Sequence, residues 1–475
     1  MKKFLSLILV AALIITLFTF ASSAAGPEAS TRAKVEPGKI ALNQADCTIR
    51  IIYPYFSGFA SAAKLNDTIQ NSNTAEIGYI KDSLEELKEY NDMEKIHISY
   101  SLDSYFDYNK SGDVLSVIIN SYYYTGGAHG MSYMESYTVN TKTNEIYTFS
   151  SLFNHKSNYK KVILDKINAM IDKEKEFYFA DAKQSVAARN SNYKFYIDGD
   201  KLVIYFDLYE LRPYAGGMPE FKINAKDLKG LLKDDVYNQM INAKALGKVR
   251  LNGTTMASGL NTFEQDYTLM VPLKAVAELL GYKAGWDAKK GCSIDGSYIK
   301  NNVNSYSSSK TPETKLSEAP KIKGNVMYVP EEYFSQVLKE DVFYYGDALR
   351  IFTALSYRQN QFDIQIAEYT APNTADKAVN MYARAVKDRK GALQYALFSD
   401  KLKAEYKAGF EEMNWVTGVS SPWVTGYDIK DNREGDYDIV FHWATSAGKS
   451  PDSIIKLTVA KKTGQEFWEI IKLQE

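Results

Sequence analysis

The chain has 475 residues, which at about 150 residues per domain predicts about three folded modules. Hydrophobic residues make up 45% of the chain and charged residues 24%, proportions that exclude a disordered, collagen-like or polytopic membrane protein. With 57 basic against 58 acidic residues there is no basic field, so no nucleic-acid partner is expected.

Residues 1–25 predict a secretory signal peptide. Two lysines precede an apolar run, and small residues with the character of a cleavage site follow it at 21–25. We therefore expect an exported protein, extracellular or associated with the cell wall. The alternative is an uncleaved anchor, because residues 4–25 are long enough to span a bilayer. Only in that case is a membrane expected as a partner.

Residues 26–40 lack apolar periodicity and are expected to form a linker before a first module over residues 41–236. Alternating apolar residues on both sides of a polar segment predict a hairpin over residues 96–124. Helical spacing of apolar residues predicts an amphipathic helix over 159–175, and two further strands are expected over 195–206. The first module is therefore predicted to be α+β with antiparallel sheet.

Two motifs in this module carry a resemblance to known proteins. Tyr122-Tyr-Tyr-Thr-Gly-Gly-Ala-His-Gly130 is followed about 80 residues later by Tyr209-Glu-Leu-Arg-Pro-Tyr-Ala-Gly-Gly-Met-Pro-Glu-Phe221. The pair resembles the extracytoplasmic (RsiV-like) domain of lysozyme-sensing anti-sigma factors and the non-catalytic front module of some secreted peptidoglycan deacetylases. The resemblance implies a binding surface rather than an activity. The chain lacks the His-x-x-x-His and acidic metal-binding motifs of a deacetylase.

A second module is expected over residues 242–352 and contains an internal repeat. Val271 and Val329, which are 58 positions apart, each begin a Val-Pro pair that leads into helix-spaced apolar residues. This pattern resembles the copper amine oxidase N-terminal-like stalk domain. No histidine lies between His155 and His442, so no copper is expected, and neither histidine nor cysteine clusters elsewhere. We expect no metal and no cofactor.

The third module is expected over residues 357–475. Helical segments over 375–389 and 393–410 precede four strand-like runs, an order similar to the NTF2-like cone. Such cones host enzymes as well as plain interaction modules. The whole chain is thus predicted to be α+β and multidomain, with antiparallel sheets and packed helices in each of three modules.

The candidate binding residues all come from the two motifs of the first module. Glycine lets a ligand approach the backbone, and tyrosine and histidine rings give it large contact faces. A structural role is the alternative, in which the glycines supply positive φ, His129 caps a turn and the second motif packs its rings on the sheet. The predicted ligand-binding residues are Tyr122, Tyr123, Tyr124, Gly126, Gly127, His129, Tyr209, Glu210 and Tyr214.

We expect a secreted, non-enzymatic cell-envelope protein whose first module binds a lysozyme-like protein or peptidoglycan, while the other two modules position it. No catalytic residue is assigned, because no nucleophile, base and orienting group are recognised together. The alternative is an extracellular envelope-modifying enzyme with its site in the C-terminal cone or near His129. A third interpretation is a structural surface protein held by an uncleaved N-terminal segment.

Overall fold

The computed structural model of the chain describes residues 33–82, 84–94, 97–255, 261–345, 348–358, 361–418 and 420–474. The predicted signal peptide and most of the predicted linker lie outside these ranges. The predicted fold class is confirmed: the described residues form helices and antiparallel sheets in several modules. No helix within the described ranges combines the length and apolar character that a membrane span needs.

The first sheet has five strands, and two helices cover it. These elements are β1 (Lys34–Gln44), β2 (Cys47–Ser57), α1 (Ala62–Asp82), α2 (Leu84–Glu94), β3 (Tyr100–Ser111), β4 (Val114–Tyr124) and β5 (Met131–Asn140). The strands lie in sequence order, and all neighbours are antiparallel except β2 and β3. A parallel pair needs a crossover connection, which α1 and α2 provide. β3 and β4 form the predicted hairpin.

β1 begins at Lys34, so residues 34–40 form a strand where we expected linker. Pro37 and Gly38 obscured this strand, because proline and glycine are depleted in strands. β1 is the edge of its sheet, where proline is tolerated. Glycine is required next to it, since a side chain at position 38 would overlap the ring of Tyr53.

The rest of the first module is a three-stranded antiparallel sheet with helices around it. Its elements are α3 (Tyr159–Lys173), α4 (Ala182–Ala188), β6 (Lys194–Asp198), β7 (Lys201–Tyr205), β8 (Glu220–Asn224) and α5 (Asp234–Met240). Ile163, Ile167 and Ile171 lie one helical turn apart on α3 and are buried in this core, as the spacing predicts. The Ser136 hydroxyl donates to the Phe195 carbonyl at 2.6 Å and so ties this sheet to β5.

The second module has a core from Leu269 to Ile351, and its described part consists of short strands, one α-helix and a π-helical turn over Tyr333–Val337. The elements are β9 (Val249–Leu251), β10 (Thr254–Thr255), β11 (Phe263–Gln265), β12 (Thr268–Pro272), α6 (Leu273–Leu279), β13 (Ala284–Asp287), β14 (Gly291–Ile294), β15 (Ser297–Ile299), β16 (Tyr306–Ser308), β17 (Thr311–Thr314), β18 (Lys321–Lys323), β19 (Val326–Pro330), β20 (Asp341–Tyr345) and β21 (Ala348–Phe352). The two repeats pair with each other: Val271 on β12 lies opposite Val329 on β19 in an antiparallel register.

The C-terminal region contains four helices followed by a four-stranded antiparallel meander. The elements are α7 (Gln361–Ile366), α8 (Ala375–Lys387), α9 (Gly391–Ala396), α10 (Asp400–Glu412), β22 (Trp423–Asp431), β23 (Asp436–Thr445), β24 (Gly448–Lys461) and β25 (Trp468–Gln474). This is the predicted order of helices and strands. The NTF2-like resemblance stays a prediction.

Candidate functional site

The two motifs of the first module meet in space. The ring of His129 stacks on the ring of Tyr214 with centroids 3.8 Å apart and an interplanar angle of 19°. The hydroxyl of Tyr209 lies 3.4 Å from His129 Nε2, and that of Tyr214 donates to the Gly130 carbonyl at 2.9 Å. The Gly130 N–H donates to the Tyr122 hydroxyl at 3.1 Å. We call these five residues the tyrosine–histidine patch.

The hydrogen bonds of the patch indicate how its histidine is protonated. His129 Nδ1 lies 3.0 Å from the Gly130 carbonyl oxygen, which can only accept, so Nδ1 carries the proton. Nε2 lies within hydrogen-bonding distance of the Tyr209 hydroxyl, which can donate or accept. Tyr122 is 40% exposed and Tyr209 is 47% exposed, so the patch offers ring faces to solvent. A phenol and a carbonyl bind the imidazole, and neither is the carboxylate that orients a catalytic histidine.

Tyr209 has a φ of 64°, a left-handed conformation that is uncommon for a bulky residue. Strained backbone of this kind persists where the surrounding structure requires it, and it concentrates at functional sites. The next residue, Glu210, does not join the patch. Its carboxylate accepts from Arg189 Nε at 2.8 Å and from the Asp207 N–H at 3.1 Å, so it braces the turn that carries Tyr209.

The other residues of the first motif lie in two different environments. Gly126 and Gly127 both have a φ of 87°, and the Tyr124 hydroxyl donates to the Gly127 carbonyl at 3.0 Å. This loop lines a groove of about 420 Å³ together with residues such as Tyr90. Tyr123 lies on the opposite face of β4 from Tyr122, because successive side chains of a strand alternate. It was predicted with the patch but faces α1 instead.

A second cluster, which the sequence analysis missed, surrounds Tyr123 on that opposite face. Its ring contacts Tyr79 on α1 with centroids 5.5 Å apart and Tyr133 on β5 with centroids 6.0 Å apart. Glu76 and Glu135 lie beside these rings and line the same cavity of about 340 Å³. Because side chains alternate along a strand, positions 133 and 135 lie on the same face of β5. This alternation is the sequence signal that could have placed the two residues together.

A third cluster lies on the C-terminal sheet. His442 Nε2 is 3.0 Å from Asp428 Oδ2, and His442 Nδ1 is 3.1 Å from Asp452 Oδ2. Three neighbouring strands bring these residues together, and nothing in their sequence spacing indicates it. The hydrogen bond to Asp428, followed by that to Asp452, raises the pKa of His442.

The stalk-like module does not have the donor atoms of a copper site. Copper is held mainly by imidazole and sulfur ligands. No histidine lies within residues 242–352, and the Cys292 thiol is buried in the apolar core. Burial raises the pKa of that thiol, which disfavours the thiolate that a metal binds. In the parts of the chain that the structure describes, no group of three or more His, Cys, Asp or Glu residues is placed to hold a metal ion.

Comparison with known proteins gives partial matches. The peptidoglycan-N-acetylmuramic acid deacetylase PdaC of Bacillus subtilis (strain 168) is 27% identical over 174 residues, covering 34% of this chain and 36% of the relative. The chain thus spans little more than a third of that relative's length. A crystal structure of a DUF3298 family member from Bacteroides fragilis covers 44% of this chain and 98% of its own, with 18% identity and a TM-score of 0.35. A second crystal structure of a DUF3298 family protein, from Pseudomonas aeruginosa PAO1, covers 43% of this chain and 95% of its own, with 14% identity and a TM-score of 0.29.

Three family models match successive parts of the chain. The deacetylase PdaC model matches residues 41–132, and the model of a protein family of unknown function, DUF3298, matches residues 150–226. The copper amine oxidase N-terminal domain model matches residues 250–353. The deacetylase-like and stalk-like resemblances are therefore confirmed, while the RsiV-like one stays a prediction. Modules of these kinds are typical of cell-envelope proteins, and the chain is a multimodular protein of that type.

Proposed function

We propose that the chain is a non-catalytic binding protein of the cell envelope and that its first module binds peptidoglycan through the tyrosine–histidine patch. The observation that carries the proposal is the stacked pair of His129 and Tyr214 with the exposed Tyr209 and Tyr122 beside it. Aromatic rings of this kind offer apolar faces to the C–H side of a sugar ring, while their polar tips make hydrogen bonds.

Two further facts support a glycan ligand. The partial relative of known activity acts on N-acetylmuramic acid in peptidoglycan, by its name, and its similarity to this chain covers about 174 residues. The five residues of the patch also include no aspartate, glutamate, lysine or arginine. An aromatic surface without these side chains suits a polysaccharide better than the charged surface of a small basic protein. Export to the envelope, as the N-terminal sequence predicts, would bring the module to this polymer.

Retention on insoluble peptidoglycan tests the proposal. Tyr209→Ala and Tyr214→Ala remove a solvent-facing ring and the stacking partner of His129, and loss of one anchor ring should cost about 2 kcal/mol of binding free energy. The fraction of protein that sediments with peptidoglycan should fall accordingly. Tyr267→Ala is the matched control, because Tyr267 is fully exposed in the second module. This variant should sediment like the wild type.

Immobilised lysozyme, run in parallel, distinguishes the rival ligand. Equal sedimentation of the wild type, Tyr209→Ala and Tyr214→Ala, with all three folded by circular dichroism, would remove the patch from the binding site. Retention on lysozyme but not on peptidoglycan would replace the glycan with a protein partner. Release of sugar or acetate from peptidoglycan by the purified chain would contradict a non-catalytic role.

A further inference from the structure

The cavity between α1 and the first sheet is lined by tyrosine rings and by two glutamate side chains. Tyr79, Tyr123 and Tyr133 form its walls, and Glu76 and Glu135 lie among them. Tyr79 is 56% exposed and stands at the rim. The volume of about 340 Å³ lies within the range of small-molecule sites. We call this space the Glu76 cavity.

The two carboxylates of the cavity differ in the hydrogen bonds that they accept. Glu135 accepts from the Ser72 hydroxyl and from the Tyr137 hydroxyl, each at 3.0 Å. Glu76 Oε2 is buried and makes no hydrogen bond of good geometry, and the same holds for the Tyr133 hydroxyl. A buried carboxylate oxygen without a well-formed hydrogen bond is costly, and the neighbouring groups that offset this cost are neutral hydroxyls rather than cations.

The surroundings of Glu76 provide no positive charge. Burial raises the pKa of Glu76 to about 7; the Tyr133 hydroxyl beside it opposes the rise, and the charge of Glu135 adds to it. The hydroxyls of Ser121 on β4 and Ser72 on α1 are the remaining groups that act on it. No lysine, arginine or histidine is among the described residues that line the cavity. Among the described residues that line the cavity, the repulsion between the two carboxylates therefore has no counter-charge.

We propose that the Glu76 cavity binds a ligand through a primary ammonium group. The ammonium would donate to the carboxylate of Glu76 and to that of Glu135, and both carboxylates are acceptors when ionised. The Tyr79 and Tyr123 rings would receive the attached carbon atoms and add a cation–π attraction. A neutral hydroxyl could bond to Glu76, but it would leave the two negative charges unbalanced. The inference does not rest on the proposed function, because the cavity lies on the opposite face of β4 from the patch.

The ammonium can come from an alkylamine, such as a lysine-like side chain, or from an amino sugar. Titrations of the intact chain, followed by ligand-observed NMR, would use n-butylammonium for the first source and glucosamine for the second. The matched neutral probes are n-butanol and N-acetylglucosamine. We expect one or both amines to bind and both neutral probes to bind at least ten-fold more weakly.

Two variants locate the binding. Glu76→Gln keeps the shape of the side chain but removes its charge, and it should weaken the amine at least ten-fold. Glu89→Gln on α2 removes an exposed carboxylate and should leave the affinity unchanged. Because Glu76→Gln removes a buried charge, it should fold at least as well as the wild type, and circular dichroism checks this.

The pH profile gives an independent readout with n-butylammonium, which stays protonated well above neutral pH. Ionisation of a group with a pKa of about 7 rises from about a tenth at pH 6 to about nine-tenths at pH 8, so affinity should rise about ten-fold. The Glu76→Gln variant should lose this rise. Equal binding of amines and neutral probes, equal affinity of the wild type and Glu76→Gln, or failure of both amines to bind would each overturn the proposal. Peptidoglycan retention by Glu76→Gln, measured alongside, reports separately on the patch.

Discussion

Gly130 is the residue on which the tyrosine–histidine patch depends. Its N–H donates to Tyr122 and its carbonyl accepts from Tyr214, so one residue connects the rings of both motifs. A Cβ at this position would lie 2.5 Å from the Tyr122 ring and closer still to the carbonyl oxygen of Tyr123. Backbone atoms cannot rotate away from such a contact. The patch therefore requires a glycine here for space.

We expect Gly130→Ala to lower the free energy of unfolding by about 1–3 kcal/mol, the usual cost of forcing extra atoms into a packed site. Chemical denaturation of the intact chain measures it. Gly409→Ala is the control, since no atom lies within 4 Å of the position that its Cβ would take. This second variant should be at least as stable as the wild type, because alanine favours a helix more than glycine does. Wild-type stability of Gly130→Ala would show that the contact relaxes at little cost.

At the scale of single residues, the sequence predicts only part of the candidate site. The sequence supplied candidate residues from both motifs, and the structure brings His129 and Tyr214 into contact, while their role in binding stays a prediction. Tyr123 was placed with its neighbours, although strand alternation turns it to the other face. Glu76 was missed because it lies on α1, far along the chain from Glu135 on β5. Only tertiary packing brings these two carboxylates into one cavity.

At the scale of elements, periodic segments were predictable and long-range pairings were not. The isoleucines of α3 and the hairpin of β3 and β4 follow from local patterns that determine which face is buried. The repeat in the second module was visible, but the sequence does not state that Val271 and Val329 face each other across two paired strands. The parallel pairing of β2 with β3 is equally hidden, because a crossover joins strands that are distant in sequence.

The C-terminal sheet places His442 on β23 between Asp428 on β22 and Asp452 on β24. Because its pKa is raised in the folded state, the protonated ring stabilises the sheet. This contribution is fully present below the ordinary histidine pKa of about 6.5 and is lost as pH rises through the higher folded value. Both ring nitrogens donate only while the ring is protonated, so the contact with both aspartates is complete only below the folded pKa.

We expect wild type to exceed His442→Gln in stability at pH 6, with the difference shrinking as the pH is raised towards 9. Urea denaturation across this range measures the difference. The three side chains are near the surface, so 1 M NaCl should reduce the difference at pH 6 by screening. A difference that is constant with pH would mean that packing, rather than charge, accounts for the role of His442.

For the whole molecule, the modules are not separate in space. Asp107, buried in β3, pairs with Arg250 and with Arg350, whose Nε lies 2.8 Å from Asp107 Oδ2, so one carboxylate joins the first and second modules. Asp107 also begins a stretch that partly matches a calcium loop, but in the fold it lies within a strand and two arginines neutralise it. Breaking a buried pair of this kind generally costs several kcal/mol, because it leaves unpaired charge.

The first module and the C-terminal region share one apolar core. Gly78 on α1 lies against Ala371, and the Lys81 ammonium, buried at the end of the same helix, donates to the Ala367 carbonyl. Tyr53, a buried residue of β2, donates to the Asp363 carboxylate. The second module is only partly different: it has a core from Leu269 to Ile351, but Phe343 and Phe352 on its last two strands belong to the shared core.

This difference predicts how fragments of the chain behave. A fragment of residues 33–247 loses the cover of α1 and the partner of Tyr53, so we expect its melting temperature to fall by about 10 °C or more relative to the intact chain. A fragment of residues 248–353 keeps the core from Leu269 to Ile351 and should unfold in one cooperative transition. It exposes Phe343 and Phe352 and leaves Arg250 and Arg350 without Asp107, so its melting temperature should also fall. Circular dichroism during heating measures both. Dye binding to exposed apolar surface should increase more for the first fragment than for the second. Unchanged melting of the 33–247 fragment would mean that the shared core contributes little, and that the first module is stable without the C-terminal region that covers it.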